Sequence, residues 1–150
     1  MLLVSLIFLV VLLDQASKLW IVGHFSLYES LPVIPGLFNL TYLTNTGAAF
    51  GLLAGDHGVW RQLFFIGVAV VALTAICFLY RKLRTVSVWY GVALGLIAGG
   101  AVGNLIDRLR LGSVIDFLDV YVGVHHWPAF NLADSAIPVG VAIFLLINFF

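Results

Sequence analysis

Long apolar runs alternate with short polar stretches along the chain. Four of the runs could cross a bilayer, which takes about 20 predominantly apolar residues. The first covers Met1 to about Val22 and is interrupted by Asp14 and Lys18. The second runs from about Val59 to Tyr80, the third from about Thr85 to Ile106, and the fourth, the shortest, from Leu132 to Phe150. Residues 23–58 lack the helical pattern: Pro32, Pro35 and Gly36 punctuate them. Leu37 to Thr44 is rich in β-formers with rough alternation, which predicts a small sheet or hairpin. Residues 117–128 are amphipathic and aromatic and predict a short interfacial helix. The expected fold is a membrane all-α four-helix bundle with a small β-cradle on its outer side, residues 1–150 forming one membrane domain.

Composition strengthens this picture. The chain is 63% hydrophobic and only 9% charged, whereas soluble domains carry about 25% charged residues. Its mean hydropathy is +1.14. Seven basic and seven acidic residues give no net charge, so nothing points to nucleic acid. A lone cysteine, Cys77 in an apolar run, excludes an intramolecular disulfide. Residues 1–22 have no basic start and no small-residue cleavage site, so they read as a retained membrane helix. Arg81-Lys82-Leu83-Arg84, between the second and third spans, marks a cytoplasmic loop by the positive-inside rule. Four spans then put both termini in the cytoplasm, and Asp14, Lys18, Asp116 and Asp134 all fall towards the outer side.

Ionisable groups at membrane depth are costly and mark candidate functional sites. Asp116 and Asp134 each border an apolar segment, eighteen positions apart. Two carboxyls sharing a site disfavour double ionisation, which leaves a base and an acid for chemistry on a water. Peptide hydrolysis by such a pair requires no metal or cofactor. The plainer reading is that each aspartate caps a helix. Asn131 lies three residues before Asp134 and shares its face if the helix has begun. Pro138 removes the helical bond to the Asp134 carbonyl. Asn104 and Arg108 are four apart on one helical face with Asp107 beside them, while Gly99, Gly100 and Gly103 permit close helix approach. Asn45-Thr46-Gly47-Ala48-Ala49-Phe50 reads as a turn placed to grip an extended chain. Asp14 and Lys18, four apart, can pair on one face of the first span. The four histidines lack metal spacing and read as interfacial.

Together these segments resemble the lipoprotein signal peptidase family (signal peptidase II). The resemblance rests on Asp14-Gln-Ala-Ser-Lys18, Asn45-Thr-Gly-Ala-Ala-Phe50, Gly99-Gly-Ala-Val-Gly-Asn-Leu-Ile-Asp-Arg108, Val114-Ile-Asp-Phe117 and Phe130-Asn-Leu-Ala-Asp-Ser135, in the family's order. It implies an aspartic endopeptidase of the bacterial inner membrane. Such an enzyme cuts diacylglyceryl-prolipoproteins just before the lipidated cysteine and is inhibited by globomycin. It implies Asp116 and Asp134 as the catalytic pair, with Asn45, Gly47, Asn104, Arg108 and Asn131 contacting or orienting substrate. Asp14 and Lys18 match a supporting pair. A monomer embedded in lipid, with no cofactor, is expected. Two features depart from the family's pattern: the short end at Phe150, where relatives carry a basic tail, and Pro138 close to Asp134. Two other readings compete. A small proton-coupled transporter or channel subunit would place its carboxylates deep in the helices and usually show a repeat; none is seen. A non-catalytic assembly factor would be destabilised by Asp→Asn changes.

Overall fold

The computed structural model describes residues 1–47 and 59–149. Its elements in chain order are α1 (Leu2–His24), β1 (Ser30–Ile34), β2 (Phe38–Asn45), α2 (Val59–Leu83), α3 (Val88–Leu111), β3 (Val114–Val122), β4 (His125–His126) and α4 (Leu132–Phe149). All four helices are long and apolar enough to cross a membrane. Each of the first three ends two to five residues beyond its expected limit, because the polar residues at those ends remain helical. Asp107 and Arg108 thus belong to α3 itself.

Helix α1 is inside out relative to a helix of a soluble bundle. On α1 the buried residues are Asp14, Lys18 and Ile21, at helical spacing on one stripe, while Phe8, Leu12, Leu13 and Trp20 are exposed. This is the arrangement lipid favours: apolar side chains face hydrocarbon and ionisable ones turn inward to each other. α3 is the central helix and packs on the other three. Its small residues set those distances. A Cβ on Gly99 would lie 2.7 Å from Val10 of α1, and one on Gly103 would lie 2.7 Å from an Asp14 carboxylate oxygen. Ser87 caps the start of α3 by accepting a hydrogen bond from the Trp89 amide at 3.3 Å.

The four strands form an antiparallel sheet in the order β1-β2-β3-β4. This corrects the expectation of a short interfacial helix over 117–128. Val114-Ile-Asp-Phe-Leu-Asp-Val-Tyr-Val is dense in β-branched and aromatic residues, and pairing with β2 satisfies its backbone. A bulge in β2 between Leu40 and Leu43 keeps Leu43 opposite Asp116 and Asn45 opposite Val114. Of the outer segment 23–58, residues 48–58, including the end of the Asn45–Phe50 motif, lie outside the described residues.

Candidate active site

Two sharp turns bring the candidate carboxyls together. α3 ends at Gly112, whose φ of 73° is a left-handed conformation that glycine adopts without strain. The chain reverses there, so β3 carries Asp116 back alongside the α3 terminus. After β4, the segment 127–130 returns across the sheet, with Phe130 bridging Leu118, and α4 then begins. Asp116 and Asp134 line one cavity of about 700 Å³, together with Asn45, Gly47, Asn104, Arg108, Ser135 and Pro138. Trp127 and Phe130 form part of its wall.

The reading of Asp134 as a helix cap is wrong: Asn131 is the cap. Its Oδ1 accepts a hydrogen bond from the Asp134 amide at 2.9 Å, and its carbonyl accepts from the Ser135 amide at 3.1 Å. The other end of the same amide donates to Asp116 Oδ1 at 2.7 Å and to the Ile115 carbonyl at 3.1 Å. Asn131 therefore ties the two candidate residues together. An aspartate could cap but not donate, and a serine could not reach both. Asn131 precedes α4, so the pair does not share a helical face in the way the three-residue spacing implied. The cap leaves the Asp134 side chain free for the cavity.

Each carboxyl has its own amide clamp. Asn104 Nδ2 donates to Asp134 Oδ1 at 2.7 Å. Asn45 Nδ2 donates to Asp116 Oδ2 at 3.1 Å, a diagonal contact across the β2–β3 ladder. Gly47 contributes its backbone: its amide donates to Asn45 Oδ1 at 2.9 Å and fixes that side chain. Arg108 lies 5.0 Å over the Phe65 ring and donates to the Asn104 carbonyl at 3.4 Å. It flanks the cavity without an ion pair to either carboxyl. Burial pushes the Asp116 carboxyl up from 3.8 to about 7, with the neighbouring Asp134 carboxyl adding to the effect. The Asn45 and Asn131 amides and the Lys18 charge oppose that shift.

Behind the pair, Asp14 and Lys18 form the expected contact at 2.8 Å, both almost fully buried. Asp107, whose weight the sequence reading missed, makes a second 2.8 Å pair with Lys18. Gln15 Nε2 bridges Asp14 Oδ2 and Asp107 Oδ1 at 3.1 and 2.9 Å. The signal for Asp107 was present: it is three residues after Asn104 and so shares its helical neighbourhood. Among the described residues, every fully buried side-chain nitrogen or oxygen has a hydrogen-bond partner. Of the histidines, His126 contacts Asp119 at 2.8 Å on the sheet, away from this cavity.

Fold and site together define a small multi-pass membrane protein with paired carboxyls in one cavity at one end of its helices. The chain belongs to the signal peptidase (SPase) II family, whose model matches residues 6–150. It is 53% identical over 140 residues to a lipoprotein signal peptidase of Syntrophus aciditrophicus (strain SB), covering 93% of this chain and 86% of that one. It is 56% identical over 134 residues to a lipoprotein signal peptidase of Geobacter metallireducens, covering 89% and 82%. A solved structure described as a bacterial membrane enzyme superposes with a TM-score of 0.87 at 32% identity, covering 98% of this chain and 87% of the other. The chain is thus a membrane enzyme of the lipoprotein signal peptidase family, a family of proteases.

Proposed function

We propose that this chain is an intramembrane aspartic endopeptidase that removes the signal peptide from diacylglyceryl-modified bacterial prolipoproteins, cutting just before the lipidated cysteine. The observation that carries this reading is the shared cavity: Asp116 and Asp134 both open on it, each held by a separate side-chain amide. One carboxylate takes a proton from a water as that water attacks the scissile carbonyl carbon, while the protonated partner hydrogen-bonds the carbonyl oxygen. Collapse of the tetrahedral adduct breaks the C–N bond. The amine leaves with a proton, and the pair is left again sharing one. Asn45, Gly47 and Arg108 line the space the peptide backbone would occupy. Backbone that is not helical is tolerated at this depth because it borders a cavity rather than lipid.

In this reading the protein works as a monomer in the bacterial inner membrane. Both termini are cytoplasmic, the sheet forms an extracytoplasmic cradle, and globomycin-type inhibitors occupy the same cavity. The test is cleavage of a purified diacylglyceryl-prolipoprotein in detergent or lipid by the wild type, Asp116→Asn and Asp134→Asn, with each fold checked by thermal unfolding. Two folded, inert variants are expected. A folded variant that cuts at near wild-type rate would overturn the assignment.

A further inference from the structure

Lys18 has three N–H donors and no acceptor. Its Nζ lies 2.8 Å from Asp14 Oδ2, 2.8 Å from Asp107 Oδ2 and 3.2 Å from Asn104 Oδ1. Each of the two carboxylates has a second task. Asp14 Oδ1 accepts from the Ala133 amide at 3.0 Å, and Asp107 Oδ2 accepts from the Ile115 amide at 3.2 Å. Ala133 immediately precedes Asp134, and Ile115 immediately precedes Asp116. A continuous path of polar contacts therefore runs through Asp14, Lys18 and Asp107 from the backbone amide just before one candidate aspartate to the backbone amide just before the other. The third contact adds orientation. Asn104 Oδ1 faces Lys18 and the Asn131 amide group, so its Nδ2 is the end that meets Asp134. A turned-over amide would set N–H groups against the ammonium and a carbonyl oxygen against the carboxyl.

We propose that the buried Asp14–Lys18–Asp107 cluster is a positioning device for the carboxyl pair, with Lys18 setting both the backbone spacing of Asp116 and Asp134 and the face that Asn104 presents to Asp134. This inference rests on the aspartic reading above. Arg108 on α3 is a further charged group beside the pair. A lysine that only holds helices together would affect how much folded protein accumulates. A positioning lysine changes what each folded molecule does.

Two charge-conserving double variants separate these roles. In Lys18→Met with Asp107→Asn, Asp14 keeps its bond to α4. In Lys18→Gln with Asp14→Asn, Asp107 keeps its bond to β3. Prolipoprotein cleavage is measured per folded molecule across a pH series, with Asp116→Asn and Asp134→Asn as references. The expected result is a kcat lower by about 10- to 100-fold with KM changed by less than about threefold. The pH profile should also move, because the Asn104 amide is no longer held with its N–H towards Asp134. A folded variant with wild-type kcat and an unmoved profile overturns the positioning role. So does a failure of both double variants to fold, which would make the cluster purely structural. If Asp116→Asn or Asp134→Asn itself stays active, the aspartic reading has failed first, and the two failures are told apart.

Discussion

Asp116 links the chemistry of the site to the stability of the whole fold. Its carboxyl moves from an ordinary 3.8 to about 7 on folding, chiefly through burial. A group whose native value is raised binds its proton more tightly in the folded state. Its contribution to stability is fully present below pH 3.8 and is lost as pH rises through about 7. Between pH 5 and about pH 6 the unfolded chain stays ionised while the native carboxyl stays protonated, so stability falls by about 1.4 kcal/mol per pH unit, and the slope fades through about 7. From pH 5 to pH 8 the loss is about 2–3 kcal/mol, or about 5–10 °C in Tm for a chain of this size. Asp116→Asn removes the titrating group and keeps the shape. Its amide faces the Asn45 and Asn131 donors, so its absolute stability is not the informative quantity. The slope with pH is. Unfolding of both proteins in the same detergent at pH 5 and pH 8 should show the wild type losing that interval and the variant losing little of it. Parallel behaviour of the two would refute the reasoning, because the proton would then reside elsewhere.

Four further outcomes are expected. Initial cleavage rates should fall as pH rises through about 7, when Asp116 ionises and the pair loses its shared proton; a rate still flat at pH 8.5 counts against the shared-proton mechanism. Asn131→Asp keeps an acceptor for the Asp134 amide but sets an oxygen against Asp116 Oδ1, now 2.7 Å from the amide nitrogen. Its kcat should drop by about 100-fold or more, read in the same cleavage assay. Gly140→Ala would place a Cβ 2.7 Å from the Ala93 carbonyl oxygen, a backbone atom that cannot step aside. It should destabilise the α3–α4 contact by about 1–3 kcal/mol. Gly23→Ala, with nothing within 4 Å of the added carbon, should leave the melting temperature unchanged or slightly raised, by an amount up to about 1 kcal/mol in stability.

The helices and the carboxyl pair were readable in the chain because lipid writes its constraint plainly: long apolar runs, with the few charges where function keeps them. The β character of 37–44 was readable for a local reason, its alternation. The strand over 114–122 was not, because its amphipathic aromatic pattern suits an interfacial helix equally well, and pairing with β2 decides between them. Asn131 could be located but not understood. That one amide caps α4 and also holds Asp116 depends on a turn that no spacing rule encodes. Asp107 was hidden because its partner, Lys18, lies 89 positions earlier in the sequence.

The bond from Asp14 to the start of α4 joins the first helix made to the last. The cavity is lined from residues 43–47, 104–116 and 127–138, and Asp14 and Lys18 stand behind it. During synthesis, a chain that has inserted three spans holds Asp14, Lys18 and Asp107 in place but has no Asp134 and no Asn131. Asp14 then lacks the Ala133 amide, and Asp116 lacks its strongest donor. Protease activity would therefore appear abruptly, when the fourth span docks. On the aspartic reading proposed above, docking of α4 would complete the carboxyl pair, so a nascent chain would not cut its surroundings before that helix is in place.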